Sequence, residues 1–122
     1  MTGRIDPNDR NPRFERSDDR AILVIAVSGE LDLSIAERFA TELEVELGGL
    51  PVVVDVTEVG FMDSSAVRIL VQSQRRLAEA GHRSAIVVPN GSVVARTLEL
   101  MSLDSSVETF PTRREALEAL GP

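Results

Sequence analysis

The chain has 122 residues, 43% of them hydrophobic and 27% charged, so we expect one soluble domain around one core. Its 13 basic residues, all arginine, face 20 acidic ones, and the net charge of -7 would repel nucleic acids and anionic membranes. No apolar run approaches the roughly 20 residues of a membrane span. The polar start lacks a secretory signal, and cysteine is absent. We therefore expect a cytoplasmic protein that binds neither nucleic acid nor membrane.

The first residues predict a tail followed by a β-hairpin. Residues 1–12 are rich in charges and contain two prolines, so we expect a mobile tail before a domain over residues 13–122. Residues 13–16 predict a short edge strand, and the polar residues 17–20 predict a turn. The β-branched run over residues 21–27 is typical of a buried strand.

A helix and a second strand follow. Ser34 and Glu37 have the spacing of a capping box, which predicts a helix starting there. Its apolar positions recur every three or four residues as far as Leu47, and Gly48-Gly49 predicts its end. Residues 50–56 then form another apolar run that predicts a buried strand.

The rest of the chain repeats the alternation of helix and strand. The first predicted element is a helix with inward residues from Ala66 to Ala78 that stops at Gly81, and a strand over 84–89 follows it. The next are a helix with Val94, Ala95, Leu98 and Met101 inward and a strand over 107–110. The last is a helix with a Thr112–Glu115 capping box and with Ala116, Leu117 and Leu120 inward. This order predicts an α/β fold with a small, mixed, mostly parallel sheet and about four flanking helices.

Two segments that precede helices carry the polar residues, and we interpret both as loops. They are residues 28–34 and residues 55–66. In open α/β sheets, functional groups collect where strands end and helices begin. The triplet Asp63-Ser64-Ser65 has a plain interpretation as a helix cap. A serine at a helix start also suits a phosphate, because free amides and the helix dipole stabilise an anion there.

Two motifs in these segments resemble those of a known family. Gly29-Glu30-Leu31-Asp32 and Phe61-Met62-Asp63-Ser64-Ser65 are similar to the signatures of the STAS family, specifically its free-standing bacterial anti-sigma factor antagonists. The resemblance runs from about Phe14 to Leu120 and implies a single STAS-type domain. It also implies binding to an anti-sigma factor that is a serine kinase, release after phosphorylation of Ser64, and reversal by a PP2C-type phosphatase.

The resemblance also implies a partner-binding surface beside the phosphorylated serine. Asp32 could equally be a loop residue that helps to start the following helix, and Ala66 stands where the family usually has glycine. An alternative function within the same family is a scaffold or ligand-binding module of a stress-signalling assembly that controls no sigma factor directly. The implied surface consists of Asp32, Phe61, Met62, Asp63, Ser64, Ser65 and Ala66.

Enzymatic alternatives find little support in the sequence. Neither Ser64 nor Ser65 lies in a Gly-x-Ser-x-Gly motif, and His82, the sole histidine, follows the stop of a helix. A response-regulator phosphoacceptor at Asp55 would need a lysine, which the chain lacks. One histidine and no cysteine make no zinc set. We therefore expect a monomeric binding protein with no catalytic residue, metal or cofactor.

Overall fold

The computed structural model describes residues 11–44, 50–103 and 105–121. Residues 1–10 of the predicted tail, and with them most of that prediction, lie outside these ranges. Within them the elements run in the order β1 (Arg13–Asp19), β2 (Ile22–Leu31), a 3-10 turn (Leu33–Ile35), α1 (Ala36–Glu42), β3 (Val52–Met62), α2 (Ser64–Glu79), β4 (Ser84–Val87), α3 (Val93–Leu100), β5 (Thr109–Phe110) and α4 (Arg113–Leu120).

The described strands form one five-stranded sheet in the order β1-β2-β3-β4-β5. β1 pairs with β2 in the antiparallel sense, and the other three pairings are parallel. The predicted mixed, mostly parallel sheet is confirmed. Parallel pairing makes β2, β3 and β4 end at the same edge of the sheet, and this edge carries the candidate site.

Both faces of the sheet are covered by helices. The larger core joins α1, α2 and α3 to residues such as Val54 and Val56 of β3, whereas α4 packs on the other face against Val53 of the same strand. The period-two alternation of a strand explains this division. Because each fully buried aliphatic side chain contributes about 1.5 to 3 kcal/mol, the central strands and the helices that cover them both contribute to the stability of the fold.

The predicted hairpin is confirmed, although its turn lies later than expected. β1 extends through Asp19, and the chain reverses at Arg20 and Ala21, whose φ angles are 55° and 61°. Two positive φ angles match the twist of a two-residue hairpin turn, so pairing with β2 continues through the polar residues that were predicted to form the turn. The strand also holds α1 in place, because Phe14 stacks on Phe39 with ring centroids 5.9 Å apart.

The largest correction concerns the two segments predicted to be loops. Residues 28–31 belong to β2 and residues 55–62 belong to β3, so both strands run much further than their apolar cores. The pairing contains register shifts between Ala26 and Ser28 and between Gly29 and Glu30, and Gly29 has a φ of 93°. These irregularities interrupt the alternation of apolar and polar residues, which hid the strands in the sequence.

The predicted start of α1 is wrong. The residue before its first turn is Ile35, which makes no capping hydrogen bond, and Asp32 instead accepts a hydrogen bond from the Ser34 N–H at the start of the 3-10 turn. The helix ends at Glu42, and the predicted stop at Gly48-Gly49, with the inward position Leu47, lies outside the described residues. The Asp32 carboxylate accepts the hydrogen bond from the Ser34 amide, so Asp32 and not Ser34 is the capping residue.

The other helices agree with the sequence in most respects. Asp63, Ser92 and Thr112 cap α2, α3 and α4 by accepting hydrogen bonds from main-chain amides. At α4 the Glu115 carboxylate accepts from the Thr112 hydroxyl at 3.0 Å. Ala78 was expected to face inward and is exposed, because it lies at the margin of the apolar face of α2.

Candidate functional site

The ends of β2 and β3 bring the two sequence motifs together. Leu31 pairs with Met62 at the last position of the parallel register. The Asp63 N–H donates to the Leu31 carbonyl at 3.0 Å, so the chain leaves both strands side by side. Asp32 and Asp63 therefore lie at one edge of the sheet, next to the start of α2.

The Asp63 side chain connects the two segments. Its Oδ1 accepts from the Ala66 N–H at 3.0 Å and from the Ser65 hydroxyl at 2.5 Å, while Oδ2 accepts from the Leu33 N–H at 3.0 Å. One carboxylate thus caps α2 and fixes the loop after β2. No pattern in the sequence signals the Leu33 contact, because it uses a main-chain amide 30 residues away.

These contacts keep Asp63 ionised. Partial burial raises the pKa of the carboxyl, but the hydrogen bonds from the Ser65 hydroxyl and from the amides of Ala66, Leu33 and Ser65 outweigh it and lower the pKa below its ordinary value of 3.8. Asp63 therefore carries a full negative charge near neutral pH. A negative charge at this place also complements the dipole of the 16-residue helix α2.

The two serines after Asp63 differ in accessibility. Ser64 is the first residue of α2 and is exposed, and within the described residues its hydroxyl makes no hydrogen bond. Ser65 is half-buried, and its hydroxyl donates to Asp63. A reagent or enzyme that approaches from solvent meets a free hydroxyl at Ser64 and an engaged one at Ser65.

Two apolar side chains are exposed in the segments that meet at this edge of the sheet. Phe61 is 44% exposed at the end of β3, and Leu33 is 72% exposed in the 3-10 turn. Leu33 was not among the predicted site residues. Its signal in the sequence is only a leucine inside a polar segment. Exposed apolar side chains of this kind are a feature of protein-binding surfaces.

Two of the predicted surface residues lie in the core instead. Met62 is 1% exposed and Ala66 is 0% exposed, so neither side chain can touch a partner bound to this structure. Met62 alternates with Phe61 along β3 and faces inward, and Ala66 lies on the inner face of α2. The methyl group of Ala66, where the family usually has glycine, is directed at the core and leaves the surface around Ser64 unchanged.

Asp32 has a local structural role in addition to its place at the site. It is exposed, and its Oδ1 accepts from both the N–H and the hydroxyl of Ser34, at 2.9 Å and 2.5 Å. This is the interpretation in which Asp32 starts the helical turn. It is compatible with a contact to a partner, because the carboxylate remains at the surface.

The two groups named in the enzymatic alternatives, His82 and Asp55, have partners of their own away from Ser64. His82 follows the other end of α2, about 24 Å away along a helix of this length, and its Nδ1 lies 3.1 Å from the Leu50 carbonyl oxygen. Asp55 is buried on the α4 face of the sheet and accepts from Arg113 Nε at 2.8 Å. Among the described residues no cluster of three histidine or acidic side chains could hold a metal ion.

None of the described helices is long and apolar enough to cross a membrane.

Comparisons with known proteins give consistent matches. The sequence model of the STAS domain family matches residues 12–116. The anti-sigma-F factor antagonist RsfB of Mycobacterium tuberculosis is 28% identical over 103 residues, which cover 83% of each chain. The crystal structure of an anti-sigma factor antagonist from Mycobacterium paratuberculosis superposes with a TM-score of 0.80 at 25% identity, covering 91% of this chain and 95% of that one. The phosphorylated form of the Bacillus cell fate determinant SpoIIAA has a TM-score of 0.55 at 23% identity, with coverages of 88% and 98%.

Proposed function

This chain belongs to the STAS domain family, and we propose that it is an anti-sigma factor antagonist that phosphorylation at Ser64 switches off. The observation that carries the proposal is the exposed, unbonded hydroxyl of Ser64 at the start of α2, at the edge of the sheet where the ends of β2 and β3 meet. The name of the M. tuberculosis relative supports the class of function. The partner in this proposal is an anti-sigma factor that is also a serine kinase.

Binding in the unphosphorylated state would rest on the apolar side chains. Leu33 and Phe61 are substantially exposed, and burying each of them would contribute up to about 1.5 to 3 kcal/mol. Met62 and Ala66 pack in the core beneath this surface and do not contact the partner themselves. The neutral hydroxyl of Ser64 adds little cost to such a contact, because it can hydrogen-bond to the partner or to water.

Phosphorylation would reverse this balance through local charge. A phosphate adds about -1.5 to -2 charges beside Asp63, whose pKa is lowered, and near Asp32. Asp63 already occupies the Ala66 amide at the start of α2, so the phosphate cannot take this amide without displacing the cap. Its charge would have to be desolvated in the complex at a cost of several kcal/mol, which corresponds to a loss of affinity of about a hundredfold or more.

The geometry also supports Ser64 over Ser65 as the phosphorylated residue. A kinase needs an acceptor hydroxyl that is free to attack the phosphoryl group, whereas the Ser65 hydroxyl is engaged in a hydrogen bond to Asp63. In this proposal a PP2C-type phosphatase removes the phosphate and restores binding. The protein would act in the cytoplasm, where the sigma factor is controlled.

The proposal is tested by partner capture and phosphorylation side by side. Wild type, Ser64→Glu and Ser105→Glu are used as baits in lysate of the native organism. Ser105 is exposed and precedes β5, the outermost strand on the side of β4, so its variant adds a charge away from the ends of β2 and β3. We expect wild type and Ser105→Glu to recover an ATP-binding serine kinase and Ser64→Glu to lose it.

The recovered kinase is then incubated with ATP and the wild type, Ser64→Ala or Ser65→Ala protein. Mass spectrometry should find phosphate on wild type and on Ser65→Ala, and none on Ser64→Ala. Full phosphorylation of Ser64→Ala would refute the assignment of Ser64. Recovery of the same partners by all three baits, or of a large assembly without a kinase, would favour the scaffold function instead.

A further inference from the structure

A cavity of about 310 Å³ lies at the end of the domain away from Ser64. It is open to solvent on one side and is lined by the second half of α2, the start of β4 and the segment before β5, with Gln74, Ser84 and Glu108 among the lining residues. Gln74 follows Ser64 by ten residues on α2, a separation of about 15 Å along the helix. The cavity is therefore distinct from the surface proposed to bind the anti-sigma factor.

A buried amide without a partner lines this cavity. Gln74 is 5% exposed, and its Oε1 accepts from the Ser84 hydroxyl at 2.8 Å. Its Nε2 is buried and has no hydrogen-bond partner among the described residues. Leaving a buried donor unpaired is unfavourable, and such groups in native proteins are normally bonded to protein, water or ligand. The Gln74 amide therefore calls for an acceptor brought in from outside the chain.

The charges at the cavity favour an anionic acceptor. Arg75 is exposed and makes no ion pair or hydrogen bond within the described residues, and Arg83 is held by its hydrogen bonds to the carbonyls of Ala119 at 2.7 Å and Leu120 at 3.2 Å. Glu108 is the carboxylate among the lining residues. Two guanidinium groups against one carboxylate leave a net positive lining in a protein whose overall charge is -7.

We propose that this cavity binds a small oxyanion, a carboxylate or a phosphate on a short carbon skeleton. The oxyanion pairs with the Arg75 guanidinium, which is the donor type best suited to oxyanions. It accepts from Gln74 Nε2 once the side chain of Gln74 turns this buried atom toward the cavity. The apolar side chains of Val107 and Leu120 in the lining contact the carbon skeleton. The site requires no change in the phosphorylation surface.

The test is an NMR titration of the whole chain labelled with nitrogen-15. Sodium butyrate, sodium phosphate and sodium chloride are added at matched ionic strength, and the side-chain signals of Gln74 and Arg75 are followed. We expect a saturable shift with butyrate or with phosphate, and none with chloride. Saturation by only one of the two oxyanions identifies the carboxylate or the phosphate as the recognised group, and either result supports the site.

Variants separate binding at this cavity from general salt effects. Gln74→Met and Arg75→Gln should each weaken binding by about tenfold or more, whereas Arg114→Gln, an exposed arginine on α4 away from the cavity lining, should leave it unchanged. Arg75 is exposed, so its variant tests the site even if Gln74→Met does not fold. Shifts that grow linearly with all three salts, or saturation unaffected by Arg75→Gln, would overturn the proposal.

Discussion

Replacing Asp63 by asparagine should separate the structural role of this carboxylate from its charge. The amide has the same shape and keeps one acceptor oxygen, but its NH₂ group cannot accept the hydrogen bond that Leu33 or Ala66 now donates at 3.0 Å. A hydrogen bond to a charged acceptor contributes about 1.5 to 3 kcal/mol, and solvent screens it at a half-buried position. We expect Asp63→Asn to lower the free energy of unfolding by about 2 kcal/mol, measured by urea denaturation at neutral pH.

The same difference should depend on pH in a defined direction. The pKa of Asp63 in the folded protein lies below the ordinary value of 3.8. Its stabilising effect is therefore fully present above the pKa of the unfolded chain and is lost as the pH falls through the lower folded value. The gap between wild type and Asp63→Asn should be constant near neutral pH and shrink below 3.8.

Asp18→Asn is the matched control, because Asp18 is an exposed residue of β1 and its substitution removes the same charge. We expect it to change the free energy of unfolding by less than about 0.5 kcal/mol. Equal effects of the two variants would refute the reasoning. So would a gap between wild type and Asp63→Asn that persists undiminished well below pH 3.8.

Three further predictions, one of them with a matched control substitution, test other parts of the fold. Ala21→Gly should raise the free energy of unfolding by about 1 kcal/mol, because Ala21 has a φ of 61° that glycine adopts without strain; lower stability would contradict this. Arg113→Gln leaves the buried carboxylate of Asp55 without its cation at 2.8 Å and should lower the free energy of unfolding by about 2 kcal/mol. The control Arg114→Gln removes an exposed ion pair and should lower it by less than about 0.5 kcal/mol. Equal losses of stability in the two variants would contradict the prediction. Ala66→Gly should lower the free energy of unfolding by about 1 to 2 kcal/mol, measured by thermal or urea unfolding. It should leave partner affinity unchanged, since Ala66 is 0% exposed. Tenfold tighter binding by calorimetry would show that the methyl group reaches the interface.

Much of the fold could be predicted because its signals are local. The apolar spacing in α2 and α4 and the cap at Thr112 lie within one or two turns of the helices that they define. The apolar runs at the centre of β2 and β3 are equally direct, since a strand covered on both faces is apolar at successive positions. The family resemblance rests on two short motifs whose residues are contiguous in the chain.

The errors fall where distant contacts decide the structure. The extended ends of β2 and β3 are polar and irregular, and they are strands because they pair with each other across a bulged register. Ser34 and Glu37 have the spacing of a capping box, but Asp32 takes the Ser34 amide. Phe61 and Met62 were both predicted to lie on the partner-binding surface, but the alternation of β3 exposes the first and buries the second.

The order of the elements, the mixed sheet and the two motifs can be predicted from the chain alone, because periodicity, caps and contiguous residues act over short separations. How the motifs meet depends on contacts between distant residues in the folded protein. The parallel pairing of β2 with β3 sets Asp32 beside Asp63, and the amide of Leu33, 30 residues away, binds the Asp63 carboxylate. The tertiary structure also decided that Ser64 is free while Ser65 is engaged, because which hydroxyl is left for solvent depends on side-chain directions at the first turn of α2.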